Sequence, residues 1–434
     1  AVKNKRAAVL RFGDRSCQQS GRGDRMNRDQ EILTELAKEY REVALAGENE
    51  VRRALWKELN GLRECRPLIM MDQLPWHELN TDGSLTLQCQ DADARIVEKS
   101  LRRQLYQAKY FPADKVFEPY LELPKIIVGC HYGIIRQEVT LASDEKNGVV
   151  SHSYVSQLRN EDDLENLKFP VIQVDEAKDK EHWEKISEMV SGVLPVRLSG
   201  VRMFNCGIWD GLVEAIGTDD FFFFFMDEPE LLHKAAKRMV DIRQSLIDQL
   251  AEKQLFDAYE PTVHCTGAYT DELPQDKEKD VRPKDVWTFG LAQMLGSVSP
   301  QMFEEYEIEY VKPLLEQFGL VYYGCCEPLH NRIDSIRKIK NVRKISMSPW
   351  ADVLAGAEHI HGDYVISRKP NPAYLASASF DAEVVRKELQ ETCRAAKENG
   401  CTCELILKDV STVRYHPERL AQWHKIAVEV ASEW

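Results

Sequence analysis

The sequence predicts an α/β fold, a (β/α)8 barrel preceded by an N-terminal helical extension. Two observations carry this expectation. Short apolar runs alternate with amphipathic helical patterns through the second half of the 434 residues, which implies βαβ units and a parallel sheet. The turn after the first apolar run, Asp72-Gln-Leu-Pro-Trp, lacks the Gly-rich phosphate loop that an open doubly wound sheet would place there.

Taken in order, the segment from Asn27 to Leu62 is helical and forms the extension, with a basic surface arm before it. The first half offers strands at Leu68-Ile-Met-Met, Phe117 to Ile127, Val196-Arg-Leu-Ser and Phe256 to His264, with a polar insertion over 143–190. One helix starts at Asp227, whose carboxylate and that of Glu230 form a capping box, with Pro229 in the first turn. Another opens at Ser299-Pro300. Strands then follow at Val321-Tyr-Tyr-Gly, Lys344-Ile-Ser-Met, Tyr364-Val-Ile-Ser and Glu404-Leu-Ile-Leu. The helices between and after them present Leu329/Ile333/Ile336/Ile339, Val353/Leu354/Ala357/Ile360, Val384/Val385/Leu389/Cys393/Ala396 and Leu420/Trp423/Ala427/Val430. Gly400 stops the long helix from Asp381, and Pro417 opens the last one. No repeat or low-complexity linker divides the chain, so residues 1–66 are read as arm and extension and 67–434 as one barrel.

Composition narrows the function. A chain 43% hydrophobic and 29% charged buries a large core, and a net charge of −14 disfavours nucleic acid or anionic lipid as partner. Eleven scattered cysteines, an odd number, suggest a reducing cytoplasmic setting rather than a disulfide framework. No run approaches the length of a membrane span, and the basic N-terminus lacks the apolar core of a signal peptide.

In a parallel barrel the loops after the strands gather at one end, so polar residues there are the candidates for chemistry on a small-molecule substrate. Cys325-Cys326-Glu327-Pro328-Leu329-His330 offers sulfur, carboxylate and imidazole as metal ligands, or else two small buried residues and a helix-start carboxylate. His264, with Cys265, is its best partner, and Asp409 and Ser411 end the last strand and can complete a metal shell. Arg368, Lys369 and Asn371 suit a carboxylate or phosphate, or form a solvated loop. Trp76 and His77 can wall or hold a substrate, Glu78 and Glu118 can act as acid or base, and a buried Glu118 should have a raised pKa. Asn205, Trp209 and Asp210 after the third strand join the same set.

From about residue 195 onward the chain resembles the uroporphyrinogen decarboxylase superfamily. The resemblance rests on the helix after Asp227-Glu-Pro-Glu-Leu-Leu-His and on Trp287 to Pro300 leading into Phe303-Glu-Glu-Tyr. It continues through the Cys-bearing strand end, Ser346-Met-Ser-Pro and the Pro417-Glu-Arg-Leu helix. It implies a barrel that acts either as a tetrapyrrole decarboxylase or as a corrinoid-linked methyltransferase on O-, N- or S-methyl substrates. The decarboxylase branch carries an Arg-bearing signature where this chain has Gln73-Leu-Pro-Trp-His-Glu, which turns the expectation toward methyl transfer. The methanol and methylamine branch holds zinc through a His-x-Cys and a later Cys. Here Cys325 matches the first Cys, Tyr323 replaces the His, and the later Cys is missing near Asp409 to Val413. A zinc would therefore need His264, Cys326, Glu327 or Asp409. The reading taken forward is methyl transfer to a corrinoid, or cobalamin, on a separate binding protein. A carboxy-lyase and a non-catalytic corrinoid or tetrapyrrole binder are the alternatives.

Overall fold

Apolar runs rich in β-branched and aromatic residues form the strands of a parallel sheet. The computed structural model describes residues 15–141, 151–259, 261–275 and 277–434, so the first part of the arm and part of the polar insertion lie outside the described residues. The strands that position the candidate site are β1 (Leu68–Met71), β2 (Leu121–Pro124), β3 (Val196–Ser199), β4 (Met203–Asn205), β5 (Trp287–Gly290), β6 (Leu320–Tyr323), β7 (Val342–Met347), β8 (Val365–Arg368) and β9 (Cys403–Leu407). Seven of them pair in the order β1-β9-β8-β7-β6-β5-β4, all parallel. The other two, β2 and β3, pair with each other.

The sheet curls, but the expected closed eight-stranded barrel is corrected to a seven-stranded sheet with an open seam between β1 and β4. The reason lies in the segment that would fill the seam. Asp114 gives its backbone N–H to the Ile69 carbonyl, but its carboxylate, not a backbone carbonyl, accepts the Ile69 N–H at 2.8 Å. Three residues on, the Phe117 N–H turns to the Asn49 side chain at 3.0 Å, so no ladder continues. A second correction concerns the run from Phe256 to His264. It makes one bridge, between Val201 and Phe256, and then enters a hairpin of Thr262–Val263 with Thr266–Gly267. The strand expected there is supplied instead by β5. His264 sits in the two-residue turn with φ +54°, the left-handed conformation such tight hairpins demand.

The helices that bear on the site and its frame are α1 (Arg15–Ala44), α2 (Glu48–Asn60), α3 (Ala92–Tyr110), α4 (Pro229–Glu252), α5 (Ala382–Glu398) and α6 (Glu418–Ser432), with others between them. The capping box expected at Asp227 is absent: Asp227 ends the preceding helix, Phe221–Asp227, and the cap residue of α4 is Glu228, whose side chain makes no cap bond. Helix α5 stops as expected, with Asn399 at its cap and Gly400 at φ +65°.

Strand parity sorts the side chains. Ile69, Leu405, Ile366, Ile345 and Met347 join the large cluster against the helices, whereas Leu68, Met70, Val365 and Ile406 join a cluster with Trp56 on the opposite, concave face. That face also carries polar groups. Lys344 and Glu404, both fully buried, meet at 2.7 Å, and Thr266 of the hairpin donates to the same Glu404 oxygen at 2.7 Å. The Lys344 ammonium further donates to the Gly267 carbonyl at 3.0 Å. Removing one member leaves a buried charge without its partner, which costs about 3–5 kcal/mol. Lys344→Met should therefore destabilise the chain by that amount in chemical denaturation, and adding Glu404→Leu should restore much of the loss. Additive losses in the double variant would show that the pair is not the holding interaction.

Candidate functional site

Beyond β6 the parity breaks, and the break makes the site. Gly324 has φ +95°, and a Cβ there would lie 2.3 Å from Leu329 Cδ1. The kink turns Cys325 back over the concave face at the C-terminal ends of the strands. Its carbonyl accepts from Ser346 at 2.7 Å, and its N–H donates to Glu327 at 2.9 Å. Glu327 also accepts from the Ala292 N–H at 3.0 Å, so this buried carboxylate ties the loop after β5 to the loop after β6. Burial pushes its pKa up, and the backbone donors oppose that shift. Glu327, expected as a metal ligand or a helix-start carboxylate and a candidate for catalysis, is placed here as a clamp between two loops.

The Cys325 sulfur meets three groups. The Cys326 Sγ is 3.5 Å away, the Lys408 ammonium 3.4 Å away, and the His264 ring hydrogen bonds to it. Hydrogen bonding from Cys326, then from His264, together with the charges of His264 and Lys408, lowers the Cys325 pKa far below the usual thiol range, against the effect of burial. The pair thus settles as a Cys325 thiolate with a protonated Cys326 donating to it. Burial works against a charged His264, but hydrogen bonds to Cys265 and Cys325 outweigh it and push the imidazole up to about 9. His264 is consequently an imidazolium at neutral pH. Its ring stacks on Tyr322 at 5.1 Å and lies edge-on to Phe289 at 5.2 Å, while Nδ1 meets the Cys265 sulfur at 3.1 Å.

Lys408 bridges the thiolate to Asp409, whose carboxylate is 2.8 Å from the ammonium and half exposed. Cys326 is 3.6 Å from the same carboxylate. Lys369 points inward as well, onto Tyr322 OH and the Ser346 hydroxyl, the latter at 2.6 Å. Tyr322 OH is in turn 2.8 Å from Ser367. Sequence reading missed Lys408, Tyr322 and Ser346. The available signal was spacing: Glu404, Ile406 and Lys408 alternate along β9 and must face the same way.

The donor set does not fit a zinc ion. An ammonium already occupies the position between the Cys325 thiolate and the Asp409 carboxylate that a cation would take. Among the described residues no three His, Cys, Asp or Glu side chains converge as ligands. The residues expected as a metal set, His264, Cys325, Cys326 and Asp409, are linked pairwise here, with the Lys408 ammonium between Cys325 and Asp409.

Several expected site residues lie elsewhere. Glu118 precedes β2 instead of ending it. Arg53 of α2 holds it at 3.3 Å, and Tyr259 (2.7 Å) and Tyr269 donate to it, so it belongs to the seam of the helical extension. Glu78 accepts from Thr412 Oγ1 (2.5 Å), Val413 N (2.7 Å) and Tyr415 N (3.1 Å), which fixes the loop after β9. Its neighbour His77 stands 3.6 Å from it and edge-on to Tyr415. Arg368 points outward, as parity requires, to Glu388 of α5 at 3.0 Å and the Ser348 carbonyl at 2.6 Å. Asn371 caps a turn at Ala373 N (3.0 Å), and its own N–H goes to Glu388. Asn205 accepts from Gly207 N at 2.8 Å, and Trp209 is buried among Phe221, Phe225 and Tyr306. Trp76 lies edge-on to Tyr106 under the Arg103 guanidinium. Burial, then the charge of Glu327, raises Asp210 to about 6, and its carboxylate is 3.4 Å from Gln293.

If Cys325 shares in holding the imidazole charged, Cys325→Ser should lower the His264 titration midpoint from about 9 in an NMR titration, with Cys265 keeping the rest of the upward shift. A midpoint unmoved by the substitution would assign the charge to Cys265 alone. No family model matches the chain, and no curated protein matches it. Among solved structures, a methyltransferase from Methanosarcina mazei is similar over 88% of this chain and 97% of its own, at 12% identity and a TM-score of 0.48.

Proposed function

We propose that the chain is a methyltransferase-like enzyme that uses His264 as the acid in removing a methyl group from a small O-, N- or S-methylated substrate. The carrying observation is the His264–Cys325–Lys408 group at the C-terminal end of the sheet, where hydrogen bonds to Cys265 and then to Cys325 push the imidazole up to about 9. Losing a methyl group to a nucleophile leaves negative charge on the departing oxygen, nitrogen or sulfur. An acid with a pKa of about 9 is charged at neutral pH and yet acidic enough to protonate an alkoxide or phenolate as it leaves. The proton is the one His264 shares with Cys325, and Lys408 and Asp409 stabilise the charge that shifts on transfer. The stacked Tyr322 fixes the ring plane, so the acid loses little freedom on reaction.

In this reading the acceptor is a corrinoid on a partner protein, which in its Co(I) state supplies the nucleophile. Two exposed aromatic side chains at the same end support docking there. Trp350, just after β7, is 73% exposed, and Tyr415, in the loop after β9, is 54% exposed. The carboxy-lyase alternative needs free cations beside His264 to hold carboxylates. Arg368 is committed to Glu388 and Lys369 to Tyr322 and Ser346, which weighs against it.

The test is methyl transfer from a panel of methylated substrates to reduced cobalamin, followed by its absorbance. His264→Asn should lower kcat/KM by about 10²–10⁴-fold, the usual weight of a general acid. The wild-type rate should fall as pH rises through about 9, because the acting form is the protonated one and is lost above that value. Full activity in His264→Asn, or a rate that climbs through the same window, would refute the acid role.

A further inference from the structure

The open seam carries a second feature. Between the end of β1 and helix α3 lies a cavity of about 410 Å³, within the range of small-ligand sites. Its lining includes three cations, Lys99, Arg103 and Lys115, against one carboxylate, Asp72. Arg103 lies with its guanidinium 4.9 Å above the Trp76 ring, and among the described residues no carboxylate or carbonyl accepts any of its N–H groups. Burial lowers its pKa, which records the missing counter-charge. Lys115 is also desolvated, which lowers it to about 8, and Asp72 acts on it from beyond ion-pair distance. Its one acceptor is Gln107 Oε1 at 2.8 Å, and Gln107 is itself fixed through the Met71 carbonyl at 2.9 Å.

A neighbouring cavity of about 360 Å³ also reaches Lys115, but cannot supply its counter-charge. There Asp93 pairs with Lys185, Glu118 with Arg53, and Glu122 with Arg202. Partly buried cations are ordinarily matched by an anion, and two here are not. The guanidinium fork offers the geometry that a carboxylate matches, and the aromatic ring of Trp76 with Leu74 gives an apolar wall beside it.

We propose that this seam cavity binds a small carboxylic acid with an aromatic or aliphatic body, its carboxylate between Arg103 and Lys115 and its body on Trp76. The site stands on the outer side of β1, against α3, and is independent of the acid at His264.

Isothermal titration of the full chain with benzoate tests this, with benzylamine and inorganic phosphate titrated in parallel. Benzoate should bind one per chain, and Arg103→Gln and Lys115→Gln should each weaken it about tenfold, the effect of losing one charge-assisted hydrogen bond. His264→Asn should leave it unchanged, so that failure here is separate from failure of the methyl-transfer reading. Arg103 sits on a partly exposed helix face, so its variant keeps the test valid if Lys115→Gln does not fold. Absence of benzoate binding would overturn the proposal, as would affinity unaffected by Arg103→Gln. Equal binding of benzylamine would overturn the anion selectivity, and phosphate binding as tight as benzoate would overturn the apolar half of the site.

Discussion

The Lys344–Glu404 ion pair is the contact on which the site depends. It is fully buried, and its charges are shared with the hairpin through Thr266 and the Gly267 carbonyl. Asn60 of α2 donates to that same carbonyl at 3.0 Å and to the Tyr269 carbonyl at 2.7 Å. The hairpin is therefore pinned from the sheet and from the helical extension at once. Its turn residue, His264, is delivered over Tyr322 without belonging to any strand of the main sheet. A buried ion pair is a weak source of net stability, but it discriminates strongly between registers. Here it fixes where a third element enters a two-element frame.

The second constraint is charge balance on the concave face. Four cations, Lys344, Lys369, Lys408 and the His264 imidazolium, face inward from successive levels. Glu404 answers the lowest and the Cys325 thiolate the highest, while Lys369 between them is held by hydroxyl groups. The thiolate is therefore a structural counter-ion of this face. Its position follows from Gly324, because only the left-handed turn there brings the residue after the strand back over the face.

Much of the fold was legible in the sequence where period and punctuation agreed. The strands of the second half fall within a few residues of the apolar runs, and Ser299, Gly400 and Pro417 mark helix ends where their chemistry requires. The seam was not legible, because it depends on one carboxylate, Asp114, taking a backbone N–H that a neighbouring strand would otherwise bond. Nor was the hairpin: Phe256 to His264 reads as a strand, and β5, Trp287-Thr-Phe-Gly, breaks its apolar run with a threonine and a glycine and does not stand out. Of the site, the cluster of His264, Cys325, Cys326 and Asp409 was visible as residue types at strand ends. Their cation was not, since a lysine at the end of an apolar run reads as a solvated terminus. Glu78, Glu327 and Arg368 have the chemistry of catalysts but serve as clamps, a distinction that only their hydrogen-bond partners reveal.

The left-handed backbone at His264 carries an evolutionary consequence. Most side chains are disfavoured there, whereas asparagine and glycine adopt φ near +54° readily. Sequence drift at this position therefore leads first to residues that relax the turn and remove the imidazole proposed as the acid. A descendant could lose the chemistry while retaining the sheet, the hairpin and the seam cavity intact. Silent copies of this architecture, folded and inert, are the lineages such a backbone makes easiest to reach.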